Sequence, residues 1–491
     1  MKSLRALKYL HISIEKGSII FQQVNVRLKF YGGAGTVTGS KYLLEVDDRS
    51  ILIDCGLFQG LKELRLRNWD KPPFSPEEIS AVILTHAHLD HSGYLPKLVK
   101  EGYSGRIHCT EPTADLLEIL LMDSAKLQEE EAEYARKKGY SKHENPQPLY
   151  DQKDAKLVFP QVDPHPYETP IQLFDNIQLI FHNAGHILGA SSVELIIRGD
   201  HQTKHLVFSG DLGKQNDPIM YPPYRFEQAD ILLVESTYGD RIQPPVDNVR
   251  IELARIINET LSRDGIIVIP AFSVGRTQSI LYYLKELLVN GDIPNLPVYM
   301  DSPMAIAATE LYVKHAQSHR ISIDEIEGEG SFLHLRKNLI LVRDQEQSVA
   351  LNEIDSKAII LSASGMMTGG RILHHLYHRL GDPRNTILIT GFQAEGTRGR
   401  RLLEGEETIR IFGEDVHVRA KIEMIEGLSA HADQNELLDW LGSFHDSPKR
   451  TFIVHGEHES AMTFKRLIKD RLGWNTIVPG YREGFHLFEG I

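Results

Sequence analysis

Thr85-His86-Ala87-His88-Leu89-Asp90-His91 follows directly on the apolar run Ala81-Val82-Ile83-Leu84 and places four potential metal ligands within six positions. The apolar run predicts a buried strand that opens into a turn. Side chains two residues apart on an extended backbone point the same way, so His86 and His88 can face one ion together. Asp90 and His91 follow on the turn, within reach of a second ion. Neutral imidazole with carboxylate suits zinc, and manganese or iron accept the same set. A purely structural role would crowd three histidines and an aspartate together for no chemical purpose, so the density of the motif favours a metal site.

The chain has 491 residues, which at ~150 residues per domain predicts about three units. Its 41% apolar and 25% charged residues are those of a globular protein. No apolar stretch approaches the ~18 residues of a membrane span, so no membrane partner is expected. The segment 1–23 carries Lys2, Arg5 and Lys8, and Glu15 and Lys16 interrupt its apolar residues. It lacks the pattern of a secretory signal and reads as an N-terminal extension. The two cysteines, Cys55 and Cys109, rule against a disulfide framework and predict a reducing, cytoplasmic setting. The net charge of −13 opposes a broad nucleic-acid-binding face, which is usually basic. Any contact with nucleic acid must be local, made by a cationic cleft, bound metals and loop amides.

Val24, Val26, Leu28 and Phe30 alternate with mostly polar residues as a half-buried strand should. Gly32 to Gly35 breaks it, and Lys41 to Val46 and Ser50 to Asp54 predict two more strands. A long helix is expected after Pro112, through Leu116, Leu117, Leu120 and Leu121 into the charged Glu129 to Lys138. Gly139 to Lys156 reads as a loop. Strands resume near Ile177 to His182, Ser191 to Ile197 and His205 to Phe208, consistent with sheets covered by helices. From about Asp240, four units repeat one grammar of apolar strand, small-residue loop and helix. Their strands are Ile266–Ile269, Val298–Met300, Ala358–Leu361 and Thr386–Thr390. This predicts a parallel, doubly wound sheet whose strand C-termini carry the ligand loops. After Ala420 the first style returns, with Thr451–Val454 ending at His455. The expected domains are 24–239, an insertion over 240–428, and 429–491 completing the first.

Four further polar residues stand at or just past strand ends. Asp54 ends Ile51-Leu52-Ile53, and His186 lies in Gly185-His186-Ile187-Leu188-Gly189-Ala190. Asp211 lies in Phe208-Ser209-Gly210-Asp211-Leu212-Gly213, and His455 in Val454-His455-Gly456-Glu457. One residue so placed is usually a cap or turn former; four beside the histidine cluster read as one site.

Together these segments resemble the successive motifs of the metallo-β-lactamase fold. Glu235-Ser236-Thr237-Tyr238-Gly239-Asp240 and Gly427-Leu428-Ser429-Ala430-His431-Ala432-Asp433 resemble the added motifs of its β-CASP branch. The resemblance runs from Val24 to the end, in the family's order. It is to bacterial and archaeal RNA nucleases akin to the nuclease subunit of the eukaryotic pre-mRNA 3'-end cleavage factor. It implies an αββα metallo-β-lactamase sandwich with an inserted Rossmann-like β-CASP domain. It also implies two zinc ions: one held by His86, His88, His186 and Asp211, the other by Asp90, His91, Asp211 and His455, with Asp211 bridging. Asp54 is expected to orient a ligand imidazole, and both Asp54 and Asp90 count among the catalytic positions. The Artemis-type DNA nucleases of this branch carry valine at the motif that resembles His431, so histidine here implies RNA. The chain ends soon after His455 and is expected to lack the long C-terminal domain of RNase J and any appended RNA-binding module.

The expected mechanism is in-line attack on a phosphodiester by a hydroxide that two ions about 3.5–4 Å apart generate near neutral pH. His431 is the candidate acid for the leaving 3'-oxygen, held and kept protonated by Glu235, leaving 5'-phosphate and 3'-hydroxyl. The bland alternative makes His431 a cap for a helix beginning near Asp433, but histidine is a poor N-cap beside Ser429 and Asp433. Loops opening helices in the inserted domain offer free amides for phosphate. They contribute Ser273, Gly275 and Arg276; Ser364, Gly365 and Arg371; and Arg398, with Arg400 and Arg401 readable as solvated helix charges. Arg371 replaces the lysine of a phosphate loop, so no nucleotide cofactor is expected. A narrow cleft between the domains would admit only single-stranded RNA. Rival functions are DNA cleavage, a small-molecule ester or thioester hydrolase on the same metals, and a non-enzymatic subunit. The sequence leaves a homodimer, and internal versus 5'-end attack, open. His374, His375 and His458 are expected to face solvent or cap helices, His182 to end a strand, and Cys55 to pack.

Overall fold

The computed structural model describes residues 24–138, 145–199, 202–244, 246–321, 338–391 and 393–489; the extension expected over 1–23 lies outside them. Alternation in Val26–Gly32 buries Val26, Leu28 and Phe30 and turns Arg27 outward. That strand joins a seven-stranded sheet with spatial order Gly484–Phe488, Val26–Gly32, Lys41–Val46, Arg49–Ile53, Ala81–Ile83, Arg106–Thr110, Val162–His165. A second seven-stranded sheet runs Thr476–Ile477, Arg450–Val454, Ile231–Glu235, Thr203–Phe208, Ser191–Arg198, Ile177–Asn183, Ile171–Phe174.

The two sheets pack face to face through one apolar layer that includes Leu28, Phe30, Ile53, Ile83, Phe181, Leu206, Leu233 and Phe452. Residues of opposite parity on the same strands face outward and are covered by helices. Val82 and Ile107 lie under Leu117 and Leu121 of the helix Glu111–Lys138. Val207, Leu232 and Ile453 lie under Trp440 of Gln434–Leu441 and Phe464 of His458–Leu472. The result is the expected αββα sandwich.

Ile231–Glu235 pairs in parallel with Arg450–Val454, although the chain builds a third sheet between them. That sheet has six strands, all paired in parallel, in the order Leu339–Leu341, Val298–Asp301, Ile359–Ser362, Ile267–Pro270, Thr386–Ile389, Lys421–Met424. Ile267 and Ile269 face one apolar cluster and Ile266 and Val268 the other, so both faces are buried, as in a doubly wound sheet. One of these clusters also takes in Ala87, Leu116, Ile187 and Leu188, which seats the inserted domain directly on the metal-motif loops.

Two expectations need correction. Lys421–Met424 pairs with Thr386–Ile389, so the inserted sheet extends past Ala420; a four-residue strand with alternate charges shows too little hydrophobicity to be assigned from sequence. Within the stretch read as a loop, Gln152–Lys156 forms a short helix started by an Asp151–Asp154 capping box. No helix among the described residues is long and apolar enough to cross a membrane.

Candidate metal centre

Parallel strands bring their C-termini to one edge, and that shared edge assembles the site. Arg49–Ile53 and Ala81–Ile83 run parallel in the first sheet, as do Thr203–Phe208, Ile231–Glu235 and Arg450–Val454 in the second. Asp54, Thr85, Asp211, Glu235 and His455 therefore meet although they are distant in sequence. Asp54 and His455 have φ of 60° and 45°, a left-handed turn costly for residues with a Cβ. Their backbones are held in it by Asp54 N donating to Ile83 O (2.8 Å) and His455 N to Gly33 O (2.7 Å).

Two groups of donor atoms result. In the first, His88 Nδ1 lies 3.1 Å from His86 Nε2 and 3.4 Å from His186 Nε2. Asp211 Oδ2 is 3.5 Å and 3.7 Å from the His86 and His186 nitrogens. In the second, His91 Nε2 and His455 Nε2 are 3.1 Å apart, and Asp90 Oδ2 is 3.6 Å from the latter. Asp211 turns its other oxygen, Oδ1, to 3.3 Å from His91 Nε2. Four atoms each ~2.0–2.1 Å from a tetrahedral ion stand about 3.3–3.4 Å apart, so the first group fits zinc with four donors, while the second brings Asp90, His91 and His455 together as three, with Asp211 Oδ1 beside His91. Asp211 Oδ1 is buried without a hydrogen-bond partner, and nitrogens face nitrogens. Cations satisfy these crowded lone pairs; protons shared among them do not.

Polar groups behind the ligands set their orientation. Asp54 accepts from Thr85 N (2.8 Å) and Thr85 Oγ1 (2.9 Å), and its Oδ2 is 2.7 Å from His91 Nδ1. Thr85 Oγ1 in turn lies 3.1 Å from His86 Nδ1. Asp54 thus aims one imidazole directly and another through Thr85. Thr237 Oγ1, 3.2 Å from His455 Nδ1, does the same for the second group. The roles of Thr85 and Thr237 went unread in the sequence; each sits inside a quoted motif, but only the rotamer shows its partner.

The two groups differ electrostatically. Burial pushes His86 and His186 well below the usual imidazole value and His88 down to about 4, leaving neutral ligands. Burial opposes charge on His91 too, but Asp211 and Asp54 outweigh it and lift its pKa well above normal. His455, then His91 and His86, overcome burial and hold Asp211 well below the carboxylate range.

His431 stands at the rim. Its segment is clipped beside the Asp211 loop by a Gly213–His431 bridge and by Ala432 N donating to Leu212 O at 2.7 Å. His431 Nδ1 lies 3.0 Å from Glu235 Oε1, and its Nε2 lies 4.0 Å from Asp211 Oδ2. Glu235 is fully buried and also accepts from Leu212 N (2.7 Å) and Thr237 N (3.2 Å). Burial opposes protonation of His431; Glu235, then Asp211 and Asp90, outweigh it and raise its pKa. Asp433, not His431, caps the following helix, in a capping box with Glu436.

The inserted-domain loops behave differently. A Cβ on Gly275 (φ 80°) would meet Ile187 Cγ2 at 2.9 Å, so this loop packs against the His186 loop. Ser273 Oγ is buried 3.3 Å from Ser302 Oγ, and Ser364 Oγ lies 3.1 Å from Thr368 Oγ1. A Cβ on Gly365 would strike Phe272. Arg276 is buried with Nε and Nη1 unpartnered, and burial pushes its pKa down to about 10. Arg371 donates to Asp301 Oδ1 (2.7 Å) and Val342 O (3.1 Å). Arg398 donates to the carbonyls of Arg410 (3.0 Å), Met367 (3.1 Å) and Thr368 (3.2 Å). Arg400 and Arg401 pair with Glu404 and Glu406. His375, expected at the surface or at a cap, is instead fully buried against Asp301 Oδ2 at 2.7 Å. His374 is exposed, His458 opens its helix, His182 lies next to last in its strand, and Cys55 is packed.

Three family models match the chain: the metallo-β-lactamase superfamily at residues 34–249, the Beta-Casp domain at 277–402, and the Zn-dependent metallo-hydrolase RNA specificity domain at 415–479. Ribonuclease TTHA0252 of Thermus thermophilus is 37% identical over 94% of this chain and 99% of its own. Transcription termination factor FttA of Methanocaldococcus jannaschii is 32% identical over 92% of this chain and 70% of its own. An RNase J-like protein of that organism is 31% identical over 92% and 98%. A crystal structure of a protein of unknown function from Enterococcus faecalis V583 shares the fold, with a TM-score of 0.53 at 13% identity, over 94% of this chain and 100% of that one. With the ligand geometry, both added motifs and full-length relatives in agreement, the chain belongs to the β-CASP nuclease branch of the metallo-β-lactamase superfamily.

Proposed function

We propose that this protein is a zinc-dependent ribonuclease that hydrolyses phosphodiester bonds of single-stranded RNA, leaving 5'-phosphate and 3'-hydroxyl ends. The observation that carries the reading is the Glu235–His431 pair aimed across Asp211 at two adjoining ligand groups. His86, His88, His186 and Asp211 would hold one ion, and Asp90, His91, His455 and Asp211 the other. Bound there, two zinc ions would supply a water acidified to near neutral pH and a positive field for the phosphate.

The chain's own residues do the rest. Asp54 keeps a proton on His91 Nδ1, which leaves the Nε2 lone pair facing the centre. Attack at phosphorus breaks the P–O3' bond, and His431 Nε2 gives its proton to the departing 3'-oxygen. Glu235 holds the Nδ1 side, so the imidazole neither rotates nor loses charge early. Arg276, whose guanidinium is buried against Gly391 with two donors unengaged, is assigned to a phosphate of the bound strand, with the Ser273–Gly275 and Ser364–Gly365 loops flanking it. Arg371 and Arg398 hold loops in shape. The names of the Thermus ribonuclease and the RNase J-like relative, and the RNA specificity domain spanning His431, favour RNA. The inserted domain is taken to run over 240–428, and the two buried free cysteines favour the cytoplasm.

Purified protein incubated with labelled single-stranded RNA, DNA of the same sequence and a generic ester should cut the RNA to 5'-phosphorylated products. A chelator should stop it. Equal cleavage of DNA, or turnover of the ester alone, overturns the reading.

A further inference from the structure

A second histidine–carboxylate cluster lies at the far edge of the first sheet, on its last two strands. Arg106–Thr110 and Val162–His165 pair in parallel with His108 opposite Asp163. Asp163 and His165 are two apart on one strand and so share the face that His108 presents. His108 Nδ1 is 3.0 Å from His165 Nε2, and Asp163 Oδ2 is 3.4 Å and 3.6 Å from those two nitrogens. The three spacings bracket the ~3.3–3.4 Å expected between ligands of a tetrahedral zinc ion and match those of the catalytic centre.

Hydrogen bonding alone does not account for them. One N–H between the imidazoles satisfies that pair and leaves Asp163 facing the same two nitrogens without a proton of its own. A cation satisfies all three donors together. The Asp163 side chain is 42% exposed, which leaves the fourth position open to water.

We propose that His108, Asp163 and His165 bind one further divalent transition ion of the zinc class, outside the catalytic centre. Its role is to pin the edge strand Val162–His165 to its neighbour, beyond the backbone pairing and the Val162 packing that already hold it.

The test is zinc content by inductively coupled plasma mass spectrometry after dialysis of the holoenzyme against micromolar zinc. Wild type is compared with Asp163→Asn and His165→Gln. Each variant is expected to carry one zinc fewer than wild type with RNA cleavage unchanged. Because the difference between proteins is read, the result stands whatever the catalytic centre contains. A folded variant with the wild-type zinc content overturns the proposal. In the unsubstituted protein, zinc should slow diethylpyrocarbonate modification of His165 several-fold relative to chelator-treated protein; a rate indifferent to zinc overturns it as well.

Discussion

The sandwich and the inserted sheet both present loops at the C-termini of parallel strands, yet they use their polar residues in opposite ways. At the sandwich edge the candidate ligands converge on one another, and buried partners such as Asp54, Thr85 and Thr237 stand behind them. At the inserted-sheet edge the strongest polar groups turn inward. Asp301, fully buried, collects Arg371 (2.7 Å), His375 (2.7 Å) and Ser348 (2.7 Å), and Arg398 is consumed by loop carbonyls. Only Arg276, among the residues expected to meet phosphate, keeps buried donors unengaged. The same topological position yields a cluster of candidate metal ligands in one domain and internally paired charges in the other. What decides between them is whether the charged group finds its partner within the protein.

The sharpest way to break this contrast is at Asp211, whose two oxygens serve both ligand groups. Asp211→Ala should abolish cleavage and deplete both ions, read by zinc content and turnover together. His431→Ala should lower kcat by about 10²–10⁴-fold, the usual worth of a positioned acid, with zinc content unchanged. Loss of metal in that variant would move His431 from proton donor to ligand. Asp54→Ala should weaken metal binding or activity by roughly 10–100-fold, as removing the partner of a ligand imidazole does.

On the other side of the comparison, Arg276→Ala should raise KM for RNA while leaving hydrolysis of bis-p-nitrophenyl phosphate, which has no strand to hold, unchanged. Arg371→Ala should instead lower the melting temperature, because it leaves Asp301 short of a buried partner. If Arg371→Ala altered KM and Arg276→Ala altered only stability, the assignment of the two arginines would be reversed.

The smallest expected effect is on pH dependence. Glu235 and its acidic neighbours raise the His431 pKa, so the acid form persists above the ~6.5 of a free imidazole. Activity that needs this proton is present below the raised value and falls as the pH climbs through it. Glu235→Gln removes the leading source of the shift and should move that alkaline limb to lower pH. A limb left in place would separate Glu235 from the proton.

Much of this was legible because it is written in local patterns. Alternation in Val24–Phe30, the helix after Pro112 and the strand-loop-helix units after Asp240 each depend on a few neighbouring residues. Lys421–Met424 and Gln152–Lys156 escaped because elements of four and five residues carry too little periodicity. His375 escaped because its burial answers to Asp301, a partner more than one strand away.

The sequence by itself determined which side chains could bind metal and that each stands at a strand end. Hydrophobic period and the chemistry of imidazole and carboxylate are properties of short segments. Only the tertiary structure decided that Asp211 divides its oxygens between two ligand groups, that Thr85 and Thr237 aim the rings, and that Arg276 keeps free donors while Arg371 does not. Those outcomes depend on which groups parallel pairing brings to a common edge, and on which charges find partners once water is gone.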